Sequence, residues 1–517
     1  MGRDVFYITT PIYYPNDVPH IGHAYTAVAA DFIARYHRLR GEDVFHLTGT
    51  DEHGLKLQRV AEAAGQDPKT WVDEMEPRWR EVWTRLDIAN DDYIRTTEPR
   101  HERVVQKLLN AVHDNGTDDI YKESYEGLYC VSCELYYTED QLVDGKCPIH
   151  ERPVEVMREE NYFFRLSAYT DRLLAYYEER PGALEPESRR NEVLSLIRGG
   201  LQDFSISRTS FNWGVPLPWD PDHVCYVWFD ALANYITAAG YGDDPVRFAR
   251  LWPADVHLIG KDILRQHAVY WPAMLMSAGI EPPTQVWAHG YLTVGGKKMS
   301  KTNLTGIHPF ELIDRFGTDS YRYYFMREIR FGEDGSFSWE SLVERHNADL
   351  ANGLGNLASR IIAMLGSYFD GVVPAPDVAG AESDLPAVIA QAAADYDRHM
   401  LAIQLQPALT AVWDIVARAN HYLVEKEPWK LAKDDANRGE LASILYASAE
   451  TLRILAVLIE PIMPAAASRL WTQLGIPTAL ADQRVPQATA WGQLEPGTQT
   501  TKGESLFPRV EADSDPE

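Results

Sequence analysis

The apolar pattern changes period several times along the chain, and each change marks an element. Residues 5–10, VFYITT, are an unbroken apolar block that predicts a short buried strand. A Pro-containing turn follows. From about Gly22 to Arg40 the positions Ala24, Val28, Phe32 and Tyr36 recur at steps of four, which predicts a helix ended by Gly41. DVFHLTG (43–49) predicts the next strand and LKLQRVAEAAG another helix. Strand, helix and strand at this spacing imply a parallel α/β sheet, whose ligands sit at the C-terminal ends of the strands. His20, His23 and GTDEHG (49–54) all fall at such ends.

Residues 117–225 lose the βαβ rhythm and read as an insertion. The α/β pattern then resumes: VCYVWFD as a strand, 231–239 as a helix, DVHLIG as a strand, 262–278 as a helix and QVWAHGYLTV as a strand. From about 340 to 475 the chain is helical and amphipathic, with a loop at 370–386. The tail from about 493 is Pro-, Gly- and Thr-rich. Its SLFPRV segment is expected to dock extended, and the last residues to be disordered.

The expected fold class is therefore α/β, with six segments. Residues 1–116 and 226–292 form the two halves of a Rossmann-type catalytic domain, and 117–225 the connective insertion. Residues 293–345 form a linking region, 346–492 a helical bundle and 493–517 a tail.

Composition narrows the function classes. The 517 residues carry 49 basic and 76 acidic side chains, a net charge of −27, which excludes a nonspecific basic coat for nucleic acid. No run of 18 or more uninterrupted apolar residues suggests a membrane helix, and the N-terminus lacks signal-peptide features, so a cytoplasmic protein is expected. Four cysteines are too few for a disulfide framework in a chain this long. Cys130-Val-Ser-Cys133 and Cys147-Pro-Ile-His150 instead have the spacing of a closed structural Zn²⁺ site. Chance cysteines or a redox pair are the competing readings. Cys225, in an apolar stretch, reads as a buried thiol.

Two stretches suggest a phosphate ligand. His20 and His23 sit at a predicted helix start, where free N–H groups and partial positive charge favour an anion, and Gly22 leaves room for a flat ring. Far along the chain, GGKKMSKTNLTG (295–306) is a Gly-flanked basic loop in an acidic protein, suited to clamping a polyphosphate. Each has a plainer reading, as satisfied surface histidines and a solvated loop.

HIGH and KMSK together resemble the paired signatures of the class I aminoacyl-tRNA synthetases. TTPIYYPNDVPHIGH, TGTDEHG, YVWFDALANY, GKDILRQHAVYWPAML, HGYLTV and the single zinc knuckle resemble the bacterial methionyl branch. The resemblance implies the following roles. His20, His23, Lys298 and Lys301 are catalytic. ATP is bound by His20, Gly22, His23, Gly260, Asp262, Lys298, Ser300 and Lys301. L-methionine is bound by Ile12, Tyr14, Asp51, Trp228, Ala231, Leu232, Tyr235 and His267, and the tRNA anticodon by Asn356, Arg360, Pro428 and Trp429. It also implies one structural Zn²⁺, Mg²⁺ with ATP, tRNA(Met) including the initiator as partner, and KMSK in a region touching the tRNA stem. The appended oligonucleotide-binding module of some relatives is absent, so a monomer is expected. Two departures stand out: Thr302 where the family usually has Ser, and Gln266 where relatives commonly have an aromatic. Competing readings are another class I synthetase, a HIGH-type nucleotidylyltransferase and an inert tRNA-binding scaffold. The insertion, about 110 residues, is too small for the editing domain of the Leu, Ile and Val enzymes.

Overall fold

The computed structural model describes residues 5–131, 135–137, 139–148, 151–294, 297–298, 307–377 and 383–511. At its centre is a six-stranded, all-parallel sheet. Its strands, numbered in chain order, are β1 (Val5–Tyr13), β2 (Asp43–Thr50), β3 (Asp92–Arg95), β4 (Leu184–Glu185), β5 (Val256–Gly260) and β6 (Val286–His289), in the spatial order β3-β2-β1-β5-β6-β4. The order reverses between β1 and β5, which opens a crevice at their C-terminal ends. β1 is apolar on both faces because both are covered: Ile8 faces one core, Val5 and Tyr7 the other.

Helix α1 (Ile21–Leu39) leaves β1 and lies on the first of these faces. Its core continues without a break into the C-terminal bundle, built on Leu405–Lys426 and Arg438–Ile459. The far end of α1 is tied there too: Arg40 and the Tyr36 hydroxyl bond Asp397, and the Val485 amide donates to the Leu39 carbonyl at 3.1 Å. Among the described residues one span, Asp435–Ile459, is long and apolar enough to cross a membrane (mean hydropathy 1.6), but its apolar stretch is buried inside the protein.

Three expectations are corrected. VCYVWFD is not one strand. Asp220–Cys225 pairs in a small antiparallel sheet with Ser207–Arg208 and Pro216–Leu217, and the chain then turns at Tyr226 into helix α2 (Val227–Leu232). Its run of β-branched and aromatic residues reads as strand, but as a helix it buries Val227 and packs Phe229 and Leu232 into the apolar core. QVWAHGYLTV breaks in two. β6 stops at His289, and Leu292–Val294 pairs with Gly335–Phe337 and Lys297–Lys298 in a separate sheet. Gly290 marks the break, because a Cβ there would lie 2.3 Å from the Glu333 backbone. The predicted helix 262–278 is interrupted: a 3₁₀ turn (Lys261–Ile263), a π-turn (Gln266–Tyr270), then α-helix (Trp271–Ser277).

Within 117–225, Ile120–Cys130, Leu135–Tyr137, Glu155–Phe164 and Phe204–Ser205 form their own antiparallel sheet. The same stretch also returns to the central sheet, since β4 pairs with β6. The loop read at 370–386 ends where the helix Leu385–Leu401 begins. In the tail, Leu506 and Phe507 are buried, as a docked segment requires. Residues 512–517 lie outside the described residues.

Candidate active site

The C-terminal ends of β1, β2, β5 and β6 deliver the predicted residues to one edge of the sheet. After β1, His20 takes the N-cap position of α1 in extended conformation (φ −116°, ψ 172°). The Gly22 amide donates to His20 Nδ1 at 3.1 Å, and the His20 amide donates to His23 Nδ1 at 3.3 Å. The two rings stack with centroids 3.7 Å apart. Each Nδ1 is an acceptor, so each neutral imidazole carries its proton on Nε2. The pair thus caps the helix with one nitrogen and keeps an N–H donor on the other. No acidic residue in the first turn offsets the helix's partial positive charge. Trp79 and Tyr13 flank His23 at 5.0 and 5.2 Å. The indoles of Trp71 and Trp79 donate to the Pro15 and Asp17 carbonyls at 2.9 and 3.1 Å, pinning the loop before α1.

Near this helix start lies an uncharged cluster of buried rings. Tyr235 donates its hydroxyl to His267 Nε2 at 2.7 Å, and His267 Nδ1–H donates to the Ile263 carbonyl at 2.9 Å. A carbonyl only accepts, which fixes the tautomer. Burial lowers His267 to about 4, so it is neutral near pH 7. Tyr235 stacks on His257 at 4.0 Å. Burial pushes His257 well down as well; Trp271 donates to its Nε2 at 3.3 Å, and its Nδ1 lies 2.9 Å from the Thr9 hydroxyl. Trp228 stands edge-on to His267 at 6.5 Å.

Ile12, Trp228, Leu232 and Tyr235 share one apolar cluster, whereas Ala231 is buried outside it. Tyr14 is half-buried with the Lys56 ammonium 4.6 Å from its ring. Asp51, 4% exposed at the end of β2, donates its amide to the Tyr13 carbonyl at 2.9 Å. Tyr235 is raised chiefly by burial, and the nearby Asp51 charge adds to this. Trp228 Nε1 and Gln266 Oε1 are buried without a hydrogen-bond partner. Gln266 lies in the same π-turn as His267.

Four buried polar residues went unassigned in the sequence. Glu52 accepts from the Thr50 hydroxyl and Arg95 Nε, each at 2.7 Å, and from the Thr97 hydroxyl. Asp230, on α2, accepts from His53 Nδ1 and from His101 Nε2, each at 2.7 Å. Burial alone would raise the Asp230 carboxyl, but the two histidines bring it down to about 2. His53 is raised by the same carboxylate against its own burial. Glu52 and His53 stand inside the DEHG motif; nothing in the sequence signals Asp230 as the partner of His53, or His101 as the second donor to Asp230.

The opposite wall begins at β5. A Cβ on Gly260 would sit 2.6 Å from Asp262 Oδ1, so this glycine makes room for the exposed Asp262 carboxylate itself. Beyond β6, the Leu292–Val294 strand pairs antiparallel with Lys297–Lys298, bringing the backbone of the basic loop to this edge. His289 anchors its root, with Nε2 2.8 Å from the Thr26 hydroxyl of α1. Ser300, Lys301 and Thr302 lie outside the described residues.

Comparison with known proteins decides the family. The family model described as tRNA synthetases class I (M) matches residues 6–155 and 149–362, and that of the anticodon binding domain of methionyl tRNA ligase matches 373–517. The chain belongs to the methionyl-tRNA synthetase family.

Among its relatives is the methionine–tRNA ligase of Streptomyces coelicolor, 53% identical over 99% of this chain and 97% of that protein. The Thermotoga maritima ligase is 46% identical over 98% of this chain and 80% of its own length. A solved Mycobacterium tuberculosis methionyl-tRNA synthetase in complex with methionyl-adenylate superposes with a TM-score of 0.91, at 44% identity over 98% of this chain and 100% of that one. The apo form of the same enzyme gives 0.86, at 42% identity over 99% of each chain.

Two further groups of predicted residues lie away from this sheet edge. Cys130 ends a strand, and Cys147 opens a turn closed by the Glu151 amide on its carbonyl at 2.8 Å; both thiols are buried. Cys133 and His150 lie outside the described residues, and no metal-type cluster of three ligands occurs among the described ones. Burial pushes the Cys225 thiol well up, as a buried thiol requires. In the bundle, Asn356 is exposed at the start of the helix Asn356–Phe369. One turn on, the Arg360 guanidinium lies 5.5 Å from the Trp429 ring, and the buried Pro428 opens the short helix carrying that tryptophan.

Proposed function

We propose that this chain joins L-methionine and ATP to form methionyl-adenylate and pyrophosphate, then transfers methionine to the 3′ end of tRNA(Met), elongator and initiator alike. The observation that carries the reading is the neutral Tyr235–His267 cluster beside buried Asp51, on the same sheet edge as the His20–His23 pair. An uncharged, mostly apolar surrounding suits a thioether, which is polarizable and only a weak acceptor. Asp51 is suited to the α-ammonium. Ile12, Tyr14, Trp228, Ala231, Leu232, Tyr235 and His267 surround the side chain.

The nucleophile is the substrate's own carboxylate, already ionised, so no strong general base is needed. Catalysis rests on positioning and on stabilising charge that develops on phosphate oxygens. His20 and His23 supply Nε2–H donors from the helix end; Lys298, Ser300 and Lys301 close from the other side. Gly22 leaves space for adenine, Gly260 and Asp262 hold the adenosine, and Mg²⁺ accompanies the phosphates. ATP–pyrophosphate exchange with a panel of amino acids tests the reading. Exchange with methionine alone is expected. Exchange with another amino acid points to a different synthetase, and none at all to a scaffold.

Zn²⁺ held by Cys130, Cys133, Cys147 and His150 would fasten two turns of the insertion; two buried thiols at the described half of the set fit that role. The enzyme is proposed to act as a cytoplasmic monomer.

For the anticodon, Asn356 and Arg360 read base edges while Trp429 stacks on an unpaired base. Trp429→Ala is expected to lower tRNA charging about 10–100-fold, the size of one lost stacking contact. ATP–pyrophosphate exchange should be unchanged. Charging within about twofold of wild type rules the stacking role out.

A further inference from the structure

We infer that Asp230 is a positioning residue for methionine binding: by tying His53 to helix α2, it sets the distance between the Asp51 carboxylate and the wall that carries Trp228 and Leu232. This rests on the assignment of Asp51 and Trp228 to the methionine pocket.

The segment Asp51–His53 has no regular structure, so its shape comes from its ties. The Asp51 amide is held by β1 through Tyr13. The Glu52 amide donates to the Thr96 hydroxyl at 2.8 Å, and its carbonyl accepts from the Trp213 indole at 2.6 Å. The Gly54 amide donates to the Trp213 carbonyl at 3.1 Å. These ties fix the segment to β1, to the chain after β3 and to the Trp213 loop. The His53–Asp230 bond extends the set to α2. Asp230 is wholly buried and lies two residues from Trp228 and two from Leu232. Its second oxygen takes His101, on the helix Pro99–His113, which carries no pocket residue.

A buried carboxylate is costly unless donors meet its oxygens. Here one donor is structural support, and the other belongs to the segment that presents Asp51. Methionine must meet Asp51 with its ammonium and the α2 wall with its side chain at once, so the spacing of the two enters directly into affinity.

The two histidines make the role testable. His53→Ala is expected to raise the methionine KM about tenfold in ATP–pyrophosphate exchange, with kcat and the ATP KM within about threefold. His53→Asn keeps an N–H at the position of Nδ1 and should restore the methionine KM. His101→Ala should lower Tm but leave that KM within about threefold. Asp230→Asn should match His53→Ala. If His53→Ala and His101→Ala act alike, or His53→Asn fails to rescue, Asp230 is scaffold only and the inference falls. Asp51→Asn separates this from the parent assignment. If it leaves the methionine KM unchanged, the pocket assignment itself fails. If it raises the KM while His53→Ala does not, only the role of Asp230 fails.

Discussion

His20→Ala lowers the rate of adenylate formation about 10²–10³-fold, the cost of losing one preorganised donor to developing phosphate charge. Methionine affinity should hold within about threefold, because the amino-acid pocket does not use this ring. The geometry adds a complication that the motif alone conceals. His20 Nδ1 accepts the Gly22 amide, so alanine also removes a helix cap, worth about 1 kcal/mol. Asparagine separates the two effects. Its carbonyl oxygen replaces Nδ1 as acceptor, but it has no counterpart to Nε2–H. His20→Asn should therefore keep the wild-type Tm and still lose the rate, measured in a single-turnover adenylation assay. If asparagine restores the rate, the histidine only caps the helix.

Arg322→Met costs about 3–5 kcal/mol of stability, read as a lower urea midpoint at pH 7. Arg322 is wholly buried. It donates to Asp31 Oδ2 at 2.7 Å and to the carbonyls of Leu86, Pro461 and Ile462 at 3.0, 3.0 and 2.9 Å. Methionine fills similar space but leaves Asp31 leaning on Arg35 and the Ala89 amide, and four carbonyls, that of Asp87 included, without that donor. Burial alone would raise Asp31, but Arg322 and Arg35 hold it at about 2. That is below the unfolded value of about 3.9, so its stabilisation is complete above about pH 4 and fades as pH falls through about 2. Without Arg322 the folded carboxyl rises, and acid unfolding should begin at higher pH. A midpoint within about 1 kcal/mol of wild type would show that the site relaxes around the missing charge.

Much of this was legible from local pattern. The four-residue period of α1 and the two-sided apolar blocks of β1 and β2 have no competing reading. VCYVWFD misled because β-branched and aromatic residues also suit a buried helix, and only packing chooses between them. β4, two residues long, is too short to carry any period. Within the candidate site, the HIGH and DEHG residues were visible as motifs, but their partners were not. Asp230 meets His53 across 177 positions, and His289 meets Thr26 across 263; no spacing rule encodes such pairs. The mutual capping of His20 and His23 was also hidden, because histidine is not among the residues usually read as caps.

The helix that begins between the two histidines ends inside the bundle, and one apolar core runs along its length. The two family models meet near residues 362 and 373, but the folded chain has no seam there. The Tyr36 ring packs on Tyr396 of the bundle at 5.2 Å, so a volume change at Tyr36 is felt on both the side that meets ATP and the side that meets tRNA.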